Sequence, residues 1–114
     1  MGHVSVRVND TSYSFNAGGM DIRSFGEYMG LNNFRSAHGL VLGLPQGADT
    51  SIVEILSNYG KPYNYAPNNC TTPISDAIYQ LFGVASGAGT PQALEVFLRN
   101  NFSITGYNFY PASK

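Results

Sequence analysis

One cysteine, Cys70, and two histidines, His3 and His38, are the side chains of this chain whose types suit nucleophilic and acid–base chemistry. Cys70 stands in the stretch PNNCTTPISDAIYQLFG, residues 67–83. Pro73 lacks an amide hydrogen and is tolerated only in the first turn of a helix. Whether Asn69 or Thr72 serves as cap, Cys70 therefore falls at a helix N-terminus. Unpaired amides and the positive end of the helix dipole favour an anion there, so a thiol in that position is expected to ionise more readily than a free one. The Cys70 amide, with Asn69 and Thr71 beside it, is placed to hold an oxyanion as it forms.

A thiol nucleophile needs a base, and each histidine opens a predicted strand. An imidazole on a sheet facing the cysteine helix would take the thiol proton and return it to the leaving group. A further polar side chain would orient the ring. The chemistry this implies is acyl transfer through a covalent thioester, which calls for no cofactor and no metal. Plainer roles stand beside it. A lone cysteine packs as a small hydrophobe, Asn and Thr ahead of a helix serve as caps, and His38 fits a core position on an otherwise apolar strand face.

The elements that must position these groups follow from periodicity. HVSVRV (3–8) alternates, with Val4, Val6 and Val8 on one face. Asn9-Asp10 suits a tight hairpin, and TSYSF (11–15) returns as a second strand, ended by Ala17, Gly18 and Gly19. Residues 20–37, interrupted by Gly26 and Gly30, read as a loop with one short turn of helix. HGLVLGLP (38–45) alternates again and stops at Pro45. Ser51 and Glu54 form an S-x-x-E capping box ahead of Ile52, Ile55, Leu56 and Tyr59, with Gly60 as terminator. Ile74, Ala77, Ile78, Leu81 and Phe82 form one apolar stripe closed by Gly83. Thr90 and Pro91 open a further helix with Leu94, Phe97 and Leu98 inward, and FSITGYNFY (102–110) reads as a last strand, bulged at Gly106. The predicted order is β-β-loop-β-α-α-α-β, an α+β fold with helices on one side of a small, largely antiparallel sheet.

The bulk numbers bound the reading. A length of 114 residues suits one domain. The chain opens directly in a strand pattern, as a module excised from a longer protein would. A net charge of −1, with only 11% charged residues, offers no field for gathering phosphates, which disfavours nucleic-acid binding. No apolar run approaches the roughly 20 residues needed to span a bilayer, so no stable membrane insertion is expected. One cysteine excludes an internal disulfide framework. Eight tyrosines and many asparagines supply polarity without charge and suit a contact patch for a non-enzymatic binding or inhibitory module.

GHVSVRVNDTSYSF followed much later by NNCTTPISDAIYQL resembles the circularly permuted papain-like hydrolases, a group that includes permuted NlpC-type peptidases and lecithin:retinol acyltransferase-like enzymes. In that group the histidine opens an early strand in a Gly-His-apolar context, and the cysteine comes later, in an Asn-Cys motif that opens a helix. Gly2-His3-Val4 and Asn69-Cys70-Thr71 match these motifs. The strand ending in YSF also looks like domains at the C-termini of RHS-type polymorphic toxins. The resemblance spans residues 2–82. It implies His3 as base and Cys70 as nucleophile, with a polar residue on a following strand orienting the base, a place His38 fits best. It further implies a peptide, peptidoglycan or protein substrate, with a lipid ester as the alternative. It also implies delivery as the secreted end of a larger polypeptide and a cognate immunity protein.

Overall fold

The computed structural model describes residues 3–64 and 69–113. The chain is α+β, with four helices and two small antiparallel sheets among the described residues. β1 (Val6–Val8), β2 (Thr11–Asn16) and β3 (Gly19–Ser24) form a meander with β2 in the centre. Both turns are two residues long. Asn9 takes φ 54° in the first, a left-handed angle that Asn tolerates better than most residues. In the second, Asn16 Oδ1 accepts the Gly18 amide at 2.9 Å and Gly19 takes φ 102°.

Residues 20–37, expected to be loop with a single helical turn, instead supply β3 and then α1 (Phe25–Leu31). The reason is local. Ser24 Oγ accepts the Glu27 amide at 3.2 Å, a true N-cap. The interrupting Gly26 and Gly30 have nothing within 4 Å of where a Cβ would stand, so they cost the helix backbone entropy but no packing.

β4 (Ala37–Gly43) and β5 (Ser103–Tyr110) form a separate ribbon, so the single sheet expected from periodicity is replaced by two. Alternation fixes which way a strand's side chains point but not which strand it pairs with. The register runs His38↔Phe109 and Val41↔Gly106, then jumps to Leu42↔Ile104. The jump places a bulge beside Gly106, as expected, and a Cβ on Gly106 would stand 3.2 Å from Val41 Cγ2.

The remaining helices are α2 (Ala48–Ser57), α3 (Thr72–Phe82) and α4 (Pro91–Asn101). α2 begins at Gly47 in a left-handed conformation without a side-chain cap. Ser51 lies inside its first turn, so the expected Ser51–Glu54 box is not the cap. α3 ends at Gly83 with φ 70°, and Thr90 Oγ1 caps α4 by accepting the Ala93 amide at 3.1 Å.

Helices cover the meander on both faces rather than on one. β2 is buried throughout Ser12–Phe15, which requires cover above and below. On one face Phe15, 2% exposed, meets the Tyr59 ring edge-on at 5.0 Å, just past α2, and the Tyr63 ring at 5.3 Å. α3 packs on α2. On the opposite face lie Ser12 and Ser14, and α1 packs against β2 and β3 there. Leu56 and Leu94, each 1% exposed, are the most deeply buried large apolar residues. Phe102 links α3 to α4 through ring contacts with Phe82 at 5.3 Å and Phe97 at 6.4 Å.

Candidate functional site

The hairpin register decides where His3 goes. Val6 opposes Tyr13, so the chain before β1 runs back along the far end of β2, and His3 arrives next to Ser14. Its Nε2 lies 2.6 Å from Ser14 Oγ. Ser14 is only 3% exposed, so the ring is held by a hydroxyl that is itself fixed in the sheet. Burial, and secondarily the Arg35 guanidinium, push the His3 pKa below 6.5. The imidazole is neutral at neutral pH, the form that can accept a proton.

His3 and Ser14 line a cleft of about 620 Å³ between the meander and α1. Tyr28, Asp21, Arg23 and Arg35 also border it. Asp21 and Arg23 form a fork, with Nε donating to Oδ2 at 2.8 Å and Nη2 to Oδ1 at 2.9 Å. Arg35 Nη2 donates to Asn32 Oδ1 at 2.7 Å, and its guanidinium lies 5.0 Å from the centre of the Phe34 ring.

Cys70 lies in the turn just before α3, is a free thiol and is 9% exposed. Its neighbours build that turn. Asn69 Oδ1 accepts the Thr71 amide at 3.0 Å and the Thr71 hydroxyl at 2.7 Å. Thr72 Oγ1 accepts the Asn69 amide at 3.0 Å, and the Thr72 amide donates to Asn69 O at 3.1 Å. Asn69 Nδ2 donates to Gly89 O at 3.1 Å and Thr71 Oγ1 approaches Ala88 O at 3.2 Å, tying the turn to the loop before α4. The Thr71 and Thr72 amides are thus committed within the turn. The Cys70 amide makes no hydrogen bond among the described residues.

His38 sits elsewhere. It lies on β4, where its Nε2 is 2.7 Å from Glu95 Oε1 on α4, and its side chain is 48% exposed. Arg99 Nε donates to the other Glu95 oxygen at 3.0 Å. Burial pulls the Glu95 pKa up, but the hydrogen bonds from Arg99 and His38 outweigh it and hold the carboxyl below its usual value. His38, Glu95 and Arg99 form a brace between β4 and α4.

The structure therefore joins His3 to Ser14 and His38 to Glu95. Among the described residues no hydrogen bond joins Cys70 to either imidazole, and Cys70 does not line the cleft that holds His3. Ser14 is the site residue that sequence reasoning passed over. Its signal was present: alternation in TSYSF puts Ser12 and Ser14 on the face opposite Tyr13 and Phe15, and a two-residue turn at Asn9-Asp10 brings His3 alongside. The matched Gly2 and the flanking Asn68 lie outside the described residues.

No group of three or more metal-ligating side chains occurs among the described residues. No helix among them is long and apolar enough to cross a membrane. Comparison of the chain with known protein families, with curated proteins and with solved structures returns no match.

Proposed function

We propose that this chain is a thiol hydrolase of the protease or amidase type, with Cys70 as nucleophile and His3 as base. The observation that carries the reading is the His3–Ser14 pair: a neutral imidazole, oriented by a buried hydroxyl at 2.6 Å, at the wall of an open polar cleft. With Nε2–H donated to Ser14 Oγ, Nδ1 carries the lone pair that accepts the Cys70 proton. The thiolate attacks an amide carbonyl, and the developing oxyanion is held by the Cys70 amide, which has no competing acceptor among the described residues. Nδ1 then protonates the leaving amine, and water attacks the thioester to release the acid. The reaction needs the sulfur and Nδ1 within hydrogen-bond reach, and since Cys70 does not line the cleft that holds His3, a rearrangement on substrate binding has to bring them together. Ser14 takes the orienting role that the resemblance suggested for His38.

The likeness of GHVSVRVNDTSYSF and NNCTTPISDAIYQL to permuted papain-like hydrolases supports the same assignment. It also supports a role as the delivered toxic end of a larger polypeptide, neutralised by an immunity protein and acting on peptide, peptidoglycan or protein amides. Cys70→Ala and His3→Gln should each abolish amide hydrolysis and toxicity in cells while leaving the circular-dichroism spectrum unchanged. Full toxicity in the folded Cys70→Ala protein refutes the proposal.

A second reading, a non-enzymatic binding module, is favoured by one observation: the Cys70 thiol is buried and shares no hydrogen bond with either imidazole. Under that reading Cys70→Ala and the unaltered chain are equally active against a target, and the cleft beside His3 is a recognition surface alone.

A further inference from the structure

The cleft beside His3 carries an imbalance of charge that its own residues do not resolve. Arg23 is neutralised by a two-pronged pair with Asp21. Arg35 has no such carboxylate: no ion pair among the described residues includes it, and its one side-chain acceptor is the neutral amide of Asn32. The nearby Glu27 takes a hydrogen bond from Ser24 and acts on Arg23. With Asp21, Arg23 and Arg35 as the charged lining residues and His3 neutral, the cleft has a net single positive charge, in a chain whose overall charge is −1. A guanidinium keeps donors in a planar fork that matches a carboxylate. Leu31, 59% exposed, adds an apolar edge to the same cleft.

We infer that this cleft is a recognition subsite for a monoanionic carboxylate borne on a short peptide-like or apolar body, with Arg35 as its anchor. A single unpaired guanidinium, in a cleft whose other charges are the paired Asp21 and Arg23, matches one negative charge and opposes a phosphate dianion. The Leu31 surface accepts the body of the ligand, and the neutral His3 ring stands at the same wall, so a carboxylate bound to Arg35 reaches the imidazole's surroundings. The inference deepens the hydrolase proposal and rests on it for calling the ligand a substrate: it selects peptide-like substrates that carry a free carboxylate, as at a peptide C-terminus or an acidic side chain.

The test uses the 114-residue chain carrying Cys70→Ala, so that binding is read without turnover. N-benzoylglycine and its uncharged counterpart N-benzoylglycinamide are titrated separately while the His3 imidazole signals are followed by NMR. The acid should bind about tenfold or more tightly than the amide, the difference made by one charge-assisted pair. It should raise the His3 pKa as it masks the Arg35 charge. Arg35→Gln should remove the preference, whereas Lys61→Gln, at a surface cation paired with Asp76, should leave it intact. Inorganic phosphate at equal concentration should not displace the acid. Equal binding of acid and amide to the unaltered lining, equal loss with Lys61→Gln, or displacement by phosphate overturns the inference, whether or not the Arg35 variant folds. The two proposals fail separately. Selective acid binding by a chain that hydrolyses no amide leaves the subsite standing and removes the hydrolase. Hydrolysis without acid selectivity does the reverse.

Discussion

Ser14→Ala tests how much the orientation of His3 depends on one buried hydroxyl. The substitution removes the acceptor or donor 2.6 Å from His3 Nε2 and puts a methyl group in a site already 3% exposed, so no cavity opens and no apolar burial is lost. Two costs then compete. Leaving a fully buried polar atom without a partner costs about 1–3 kcal/mol, whereas a hydrogen bond exchanged with water is worth about 0.5–1.5 kcal/mol. His3 is half-buried and its ring can turn to solvent, so the smaller term governs. The expected destabilisation is about 1 kcal/mol. For a 114-residue domain that lowers Tm by about 4 °C and moves the urea midpoint by roughly 0.3–1 M. Ser14→Thr, which keeps the hydroxyl, should recover most of it. Hydrolysis should fall in kcat more than in KM, because a misdirected base affects proton transfer rather than binding. Wild-type stability with unchanged His3 imidazole shifts in Ser14→Ala would refute the claim that this bond holds the ring.

Other consequences are read as directly. Ser12 Oγ is buried, at 1% residue exposure, without a hydrogen-bond partner among the described residues, so Ser12→Ala should be neutral or stabilising by about 1 kcal/mol in urea titrations. The lowered His3 pKa sets a pH dependence. Between the folded value and 6.5 the unfolded chain binds the extra proton, so stability should be flat above 6.5 and decline as pH falls through that window. The decline should be absent from His3→Gln in denaturant titrations. His38→Gln removes one arm of an exposed brace to Glu95 and should cost less than about 1 kcal/mol with hydrolysis intact. Lost hydrolysis in a folded His38→Gln protein would return the orienting role to His38.

The parts of the fold legible in the sequence are those where several local signals agree. The first hairpin combined alternation with Asn9-Asp10, and α4 combined Thr90 and Pro91 with an apolar stripe. The S-x-x-E pattern shows where such signals part. It occurs at Ser24–Glu27 and at Ser51–Glu54, and the chain uses the first as a cap while α2 starts earlier, at Gly47. The helical spacing of Ile22, Phe25 and Met29 ran across the boundary between β3 and α1 and concealed the alternation of Met20 and Ile22 with Asp21 and Arg23. Strand partnership lay further out of reach, because α2, α3 and α4 separate β4 from β5 in the chain and no local turn joins them. At the site, His3 and Cys70 were visible by residue type, while Ser14 required the hairpin register and Glu95 required the long-range approach of α4 to β4.

The most direct test of the central claim is the rate at which Cys70 is alkylated by iodoacetamide near neutral pH, compared between the unaltered chain and His3→Gln, with the fold of each checked by circular dichroism. If His3 activates the sulfur, the unaltered chain should react about tenfold or more faster than the variant. Equal rates in the two folded proteins would contradict a base at His3 and leave Cys70 a buried thiol beside the helix it precedes.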